Sequence, residues 1–360
     1  MPTPLKLLYS RAYIEELATA LGHSARAFDA TAFTKSVLGN RWNSLELKQR
    51  LRRISSMLFE HVPGDYRTQL RPLKRIAPDF AGIRGLFLPD FVEVHGLDDF
   101  AASIDALEHF TQFSSGEFAV RPFIVKYGAR TMAVMRRWAR HDNEHVRRLA
   151  SEGCRPRLPW GIGLAQFKRD PSAILPILEQ LRADPSDYVC RSVANNLNDI
   201  AKDHPDLVLE TATRWLGTSP QTDRLVKHAC RTLLKHGDQR ALRLFGHHDA
   251  VDVRVTSFSV GSKSVVIGST LDFGFVLSAK TATPVRIEYT IDFVTKSGRT
   301  ARKVFKVGEK RLEADVPMRI VRRHRFTDFT TRKHYPGRHR IAALVNGVER
   351  GAKRFDVVAP

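Results

Sequence analysis

Three carboxylates stand on a repeat face that is otherwise basic. Glu152 lies between Arg148 and Arg155 in RRLASEGCR, Asp199 sits in NNLNDIAKD, and Glu117 opens GEFAVRPF. An acid on a surface that grips a polyanion repels phosphate, so some other role must keep it there. One role is structural: Arg148 and Glu152 are spaced i,i+4 and can pair along one helix. The other is catalytic. A carboxylate stabilises a positively charged, sugar-like transition state and activates water, as in the hydrolysis of glycosidic bonds. Trp160, at the end of RPRLPW, offers a flat π face to an electron-poor sugar or base. The same residue also suits a core position between helices. Pro156 and Pro159 make its segment a stiff, irregular turn.

Other chemistries lack their motifs. There is no GxxxxGK[ST] phosphate loop, no strand-linked GxGxxG, no CxxC, no HExxH and no GxSxG elbow. His247 and His248 adjoin each other without metal-ligand spacing, so no metal and no cofactor are expected. Three cysteines, an odd number, argue against a disulfide framework and for a reduced cytoplasm. No apolar run approaches the ~20 residues a membrane helix needs. The start MPTPLKLLYSRAYIEEL does not read as a secretory signal. The expectation is a cytoplasmic monomer, nucleoid-associated in a bacterium.

Charge names the partner class. Lys and Arg number 58 against 38 Asp and Glu, a net of +20. Neutralising phosphates releases condensed counterions, so a nucleic acid is the natural ligand. The basic residues spread through both halves and do not gather beside one amphipathic helix, which disfavours a membrane surface. Charge alone leaves three classes open: an enzyme acting on DNA, a non-enzymatic helical-repeat scaffold, and an RNA-binding module.

Two textures position these residues. Up to LLKHGDQRALRLFGHHD, apolar residues recur at three and four spacing, and residues 1–246 are expected to be helical. NEHVRRLASEG, SDYVCRSVANN and TDRLVKHACRT share a scheme whose valines, 146, 189 and 226, are 43 and 37 residues apart. Cys-Arg pairs recur at 154–155, 190–191 and 230–231. Such intervals suit an α-solenoid of two-helix, HEAT-like repeats, with the cysteines as small apolar spacers. Arg148, Arg155, Arg157 and Arg191 fall in these repeats as candidate DNA contacts. Residues 247–360 are expected to form a separate β domain: about seven short alternating segments with turns at 296–299 and Asn346-Gly347 read as an immunoglobulin-like β-sandwich. Tyr335 is a candidate corner tyrosine. This part holds 22 Lys and Arg against 11 acids, and its densest run, RIVRRHRFTDFTTRKHYPGRHR, supplies Arg322, Arg323 and Lys333 as candidate contacts to DNA phosphate or the minor groove.

SSGEFAVRPFIVKYG, HVRRLASEGCRPRLPWG, SVANNLNDIAKDHPDLV and LPDFVEVHGLDDF resemble the AlkC branch of the AlkC/AlkD DNA alkylation-repair glycosylases, in the right order along residues 1–246. The strand-rich tail resembles the immunoglobulin-like domain that some AlkC proteins carry. The resemblance implies HEAT-like repeats wrapped around duplex DNA, excision of N-alkylated bases such as 3-methyladenine and 3-methylcytosine, no metal or cofactor, and action without full base flipping. It places Glu152 and Asp199 where the family's catalytic-face acids stand, adds Glu117 as a further acid, and sets Trp160 against the lesion or backbone.

Overall fold

The computed structural model describes residues 4–39, 41–248, 252–329 and 332–360. Two compact units divide the chain. One comprises Met1–His204 with Gly217–Ala229, the other Pro205–Leu216 with Cys230–Pro360.

The first unit is helical throughout its described residues. Its helices start where the sequence supplies caps. Ser10, Asp29, Asp65, Asp99 and Asn143 each accept a hydrogen bond from a main-chain N–H of the first turn. Helix Leu47–His61 opens with a capping box, the Glu46 N–H donating to Gln49 Oε1 at 2.8 Å. Its Leu51, Ile54 and Leu58 bury one face against helix Phe87–His95, which returns Phe87, Phe91 and Val92. That packing leaves Lys48 exposed in the first turn.

Helices Glu144–Glu152 and Asp187–Ile200 pack together, and the second also packs on Pro220–Ala229. The repeat valines 146, 189 and 226 are all buried in these contacts. Cys154, Cys190 and Cys230 are free and buried. Between the first two helices the seam is polar: Ser151 and Ser192 hydroxyls meet at 2.6 Å, and Asn196 Nδ2 donates to the Ser151 carbonyl at 2.7 Å. Buried polar groups need partners, so this seam fixes one register between the helices.

The strand part of the second unit is an immunoglobulin-like sandwich of eight described strands. β1 (Arg254–Val260), β3 (Thr270–Ser278) and β6 (Met318–Arg325) form one sheet in the order β1-β3-β6. The other sheet, β2-β8-β7-β4-β5, contains β2 (Ser264–Val266), β4 (Thr283–Val294), β5 (Thr300–Leu312), β7 (Gly337–Val345) and β8 (Val348–Val358). Among the eight described strands, only β2 and β8 pair in parallel. Phe273, Phe275, Leu277, Ile287, Ile291, Ile341 and Phe355 fill the core between the sheets. The turn at Asn346-Gly347 joins β7 to β8, both residues in the left-handed region at φ 48° and 76° that a tight hairpin requires. VVIGSTLDFGFVLSA splits into β2 and β3, and VERGAKRFDVV, which does not alternate cleanly, adds the last strand. Tyr335 is half-buried and its hydroxyl bonds to none of the described residues, so it forms no corner there.

The change from helix to strand falls between Leu244 and Arg254. Compactness divides the chain earlier than an expected boundary at 246/247, because helices Pro205–Trp215, Arg231–His236 and Gln239–Leu244 go with the strands. Arg231–His236 packs on β5, and Gly237 lies against Gly347 so closely that a Cβ on Gly347 would come within 2.8 Å of the Gly237 Cα. Gln239–Leu244 in turn packs on Pro205–Trp215. Among the described residues, no helix is long and apolar enough to cross a membrane, and no group of three or more His, Cys, Asp or Glu is placed to hold a metal.

Candidate nucleic-acid site

A cleft of about 880 Å³ opens in the helical unit. Lys48 and Arg52 line it from helix Leu47–His61, Asp90 and Glu93 from helix Phe87–His95 packed against it, and Glu117, Phe118, His145, Arg148, Glu152, Arg155, Trp160 and Tyr188 close it. The expected acids are brought together here, but not as free groups. They alternate with cations in one continuous chain. Glu117 Oε2 pairs with Arg148 Nη1 and accepts from Ser115 Oγ at 3.0 Å. Arg148 Nη2 lies 3.5 Å from Glu152 Oε1, which accepts from Arg155 Nη1 at 2.6 Å. Ser192 Oγ donates to Glu152 Oε2 at 2.7 Å. Arg155 then forks onto Asp199 Oδ2 through Nε and Nη2, both at 2.8 Å, and Lys202 Nζ closes the chain on Asp199 Oδ1 at 2.9 Å.

Glu152 is 5% exposed and Asp199 2%. Burying charges costs several kcal/mol per ion, and their mutual attraction offsets this only with good geometry, so such a chain adds little net stability. Three carboxylates alternating with three cations fix the place of each charge beside the cleft. For Arg155, burial favours the neutral form, but the charges of Glu152 and Asp199 outweigh it and raise the pKa. The bridging charge is therefore permanent. Glu117, Arg148, Glu152 and Arg155 reach the cleft wall, whereas Asp199 stands one layer behind, connected through Arg155.

The arginines expected as phosphate contacts divide by environment. Arg155 is a buried bridge between two acids rather than an open phosphate ligand, because both ends of its fork are taken. Arg148 is likewise held between Glu117 and Glu152 and lies 5.1 Å over the Tyr188 ring. Arg157, half-buried, pairs with Asp203 through Nη2 at 2.7 Å. Arg191 occupies the same place in its repeat as Arg148 yet is exposed, and it lies outside the cleft wall. In the strand unit, Arg322 and Arg323 are exposed on the edge strand β6, with Arg323 Nε donating to Asp272 at 2.7 Å, and Lys333 is exposed in the segment that follows. Residues 330 and 331 of the basic run lie outside the described residues.

Trp160 is not a core residue: it is 69% exposed, with φ at +65°. A bulky residue in the left-handed region costs ~1–3 kcal/mol and persists only where surroundings impose it. The segment around it is a run of turns, closed by Gly161 N–H to the Leu158 carbonyl and Leu164 N–H to the Pro156 carbonyl. At its start, a Cβ on Gly153 would come within 2.6 Å of Val120, so only glycine lets the helix end sit this close to its neighbour.

Several cleft residues carry no sequence motif. Tyr188 and His145 meet edge to face at 5.7 Å, and burial raises the tyrosine pKa. They immediately precede the repeat valines 189 and 146, so comparing the repeats position by position is the signal that reveals them. Across the cleft, Arg52 donates to Asp90 and Glu93; burial first, then the Asp90 charge, raises the Glu93 pKa. The thiol of Cys154 is pushed up to about 12 by burial, which removes it as a nucleophile at neutral pH.

A helical-repeat unit with a buried acid–arginine chain on its cleft, followed by an immunoglobulin-like sandwich, defines a class. The chain belongs to the AlkC branch of the DNA alkylation-repair enzymes that carry a C-terminal immunoglobulin-like domain. Residues 111–235 match the family described as DNA alkylation repair enzyme, and residues 254–359 match the C-terminal Ig-like domain of uncharacterised protein YhaZ. Among solved structures it is similar to the alkylpurine DNA glycosylase AlkC of Pseudomonas fluorescens, bound to DNA containing an abasic site analog. That match has 40% identity and a TM-score of 0.95, over 99% of this chain and 100% of the other. It is also 45% identical to the uncharacterized protein YhaZ of Bacillus subtilis (strain 168), over 96% of this chain and 98% of the relative.

Proposed function

We propose that this protein is a monofunctional DNA glycosylase that hydrolyses the N-glycosidic bond of N-alkylated bases, 3-methyladenine and 3-methylcytosine, in duplex DNA without fully flipping the base. The observation that carries this reading is the charge chain: fixed carboxylates reach a cleft wall flanked by Trp160 and Tyr188. The kinship with a glycosylase supports it. An N3-alkylated base is already cationic and leaves without prior protonation, so no strong general acid is required. The protein's task is to stabilise the oxocarbenium that develops at C1′ and to direct water to it. Glu152 supplies negative charge from the cleft wall, with Glu117 sharing its Arg148 partner. Asp199 holds Arg155, and with it Glu152, in place. Preorganised charge of this kind acts without reorganisation cost at the moment of reaction. Exposed Trp160 stacks on the cationic lesion or sugar. Arg322, Arg323 and Lys333 add phosphate or minor-groove contacts from the strand unit.

The test is release of methylated base from alkylated duplex DNA, comparing wild type with Glu152→Gln and Asp199→Asn. Wild type that binds the duplex yet releases no base makes the protein a scaffold and overturns the proposal. Tighter binding to duplex RNA than to DNA of the same sequence, at fixed salt, turns it toward RNA.

A further inference from the structure

The segment 153–162 carries Arg155 and Trp160 yet has no regular structure of its own. Something outside it must hold it. Arg121, in helix Val120–Tyr127, is fully buried, and its guanidinium meets no carboxylate at ion-pair distance among the described residues. Instead, Nε donates to the Ile162 carbonyl at 2.6 Å and Nη1 to the Gly153 carbonyl at 2.9 Å. One guanidinium thus ties together the two ends of the segment, while Gly161 sits where a Cβ would lie 3.4 Å from Arg121 Cδ. Nη2 is buried without a partner. Burial lowers the Arg121 pKa to about 10, so the cation persists at neutral pH. A third point is held from across the cleft. Lys48 Nζ donates to the Trp160 carbonyl and lies 4.9 Å over the Phe118 ring.

We infer that Arg121 and Lys48 are positioning residues: three carbonyls of the segment 153–162 are gripped by two cations from other helices, which fixes Arg155 and Trp160 for the reaction. The role in catalysis rests on the glycosylase reading above; the grip itself does not. A buried cation without a carboxylate is a costly way to fill a core. Its planar fork presents donors in fixed directions to two separated acceptors, whereas the ammonium of a lysine is a compact point charge on a flexible stem. The Trp160 backbone lies in the left-handed region at φ +65°, and its carbonyl is one of the three held.

Arg121→Lys and Lys48→Met test this in the full-length protein. Labelling with 5-fluorotryptophan gives four 19F resonances, one for each tryptophan, and loss of one in Trp160→Phe assigns that residue. The other three, Trp42, Trp138 and Trp215, are buried. In both variants the Trp160 line is expected to shift or broaden while the other three hold. Single-turnover release of 3-methyladenine at saturating enzyme is expected to fall about 30–100-fold, as misplacement near the reacting centre does, a larger effect than any accompanying loss of affinity for an abasic-site duplex. If Arg121→Lys fails to fold, Lys48→Met, altered on an exposed side chain, decides alone. An unmoved Trp160 line with a rate within about 3-fold of wild type overturns the inference. Wild type that releases no base overturns the proposed function, and the 19F lines then judge the grip without it.

Discussion

Replacing Glu152 with Gln removes one charge and almost no volume. Its oxygens take hydrogen bonds from Arg155 at 2.6 Å and Ser192 at 2.7 Å, and an amide can keep both partners because a hydroxyl also accepts. Arg155 retains its two 2.8 Å bonds to Asp199, and Arg148 retains Glu117. Neither guanidinium is stranded, so the stability loss should be about 1.5–3 kcal/mol, the range for a hydrogen bond to a charged group, rather than the ~3–5 kcal/mol of a broken buried pair. The rate effect should be larger. A unit charge ~4 Å from a developing cation contributes about 4 kcal/mol at an effective dielectric near 20. Loss of one preorganised electrostatic group typically costs ~100–1000-fold. Single-turnover release of 3-methyladenine, with enzyme in excess and well below the melting temperature, separates the two effects. A Gln variant within about 5-fold of an active wild type would refute the assignment of Glu152 as the wall charge.

Asp199→Asn should also slow release, by at least about 10-fold, because Arg155 loses the charge that anchors one end of its fork; the same single-turnover assay measures it. Trp160→Ala should leave the melting free energy within ~0.5 kcal/mol, as for an exposed residue, yet weaken binding to an abasic-site duplex about 3–30-fold. Titrations across salt concentrations should show the Arg322→Ala and Arg323→Ala pair flattening the log–log slope by ~0.9 for each phosphate no longer neutralised; an unchanged slope would remove β6 from the interface. In the sandwich core, burial pushes the His324 pKa down to about 4, with the Arg332 and His334 charges adding to it. Above pH 6.5 both folded and unfolded forms are neutral there. Between pH 6.5 and 4 only the unfolded chain takes the proton, so stability falls by up to about 3 kcal/mol. Thermal melts of wild type and His324→Gln across that range should share one slope only if this histidine is not the cause.

Much of this protein is legible in its sequence. Helical and strand textures follow from local periodicity, which is why the solenoid and the turns at 296–299 and 346–347 could be read directly. An acid amid arginines draws attention to itself, so Glu152 stands out as a candidate by type, with Asp199 and Glu117 as further candidate acids. What sequence could not decide was how those charges are shared. Arg155 reads as one more cation for phosphate, and only the packing of helix Asp187–Ile200 on Glu144–Glu152 turns it inward onto Asp199, 44 residues away. Arg148 and Arg191 hold equivalent repeat positions, yet one is clasped between acids and the other lies in solvent. Lys48 and Arg121 had no signal, because a grip on a main-chain carbonyl depends on where the backbone passes and leaves no trace in its partner's residue type. The sequence determined which residues could do chemistry; the tertiary structure decided which of them face the cleft, since pairing and burial are set by neighbours distant along the chain.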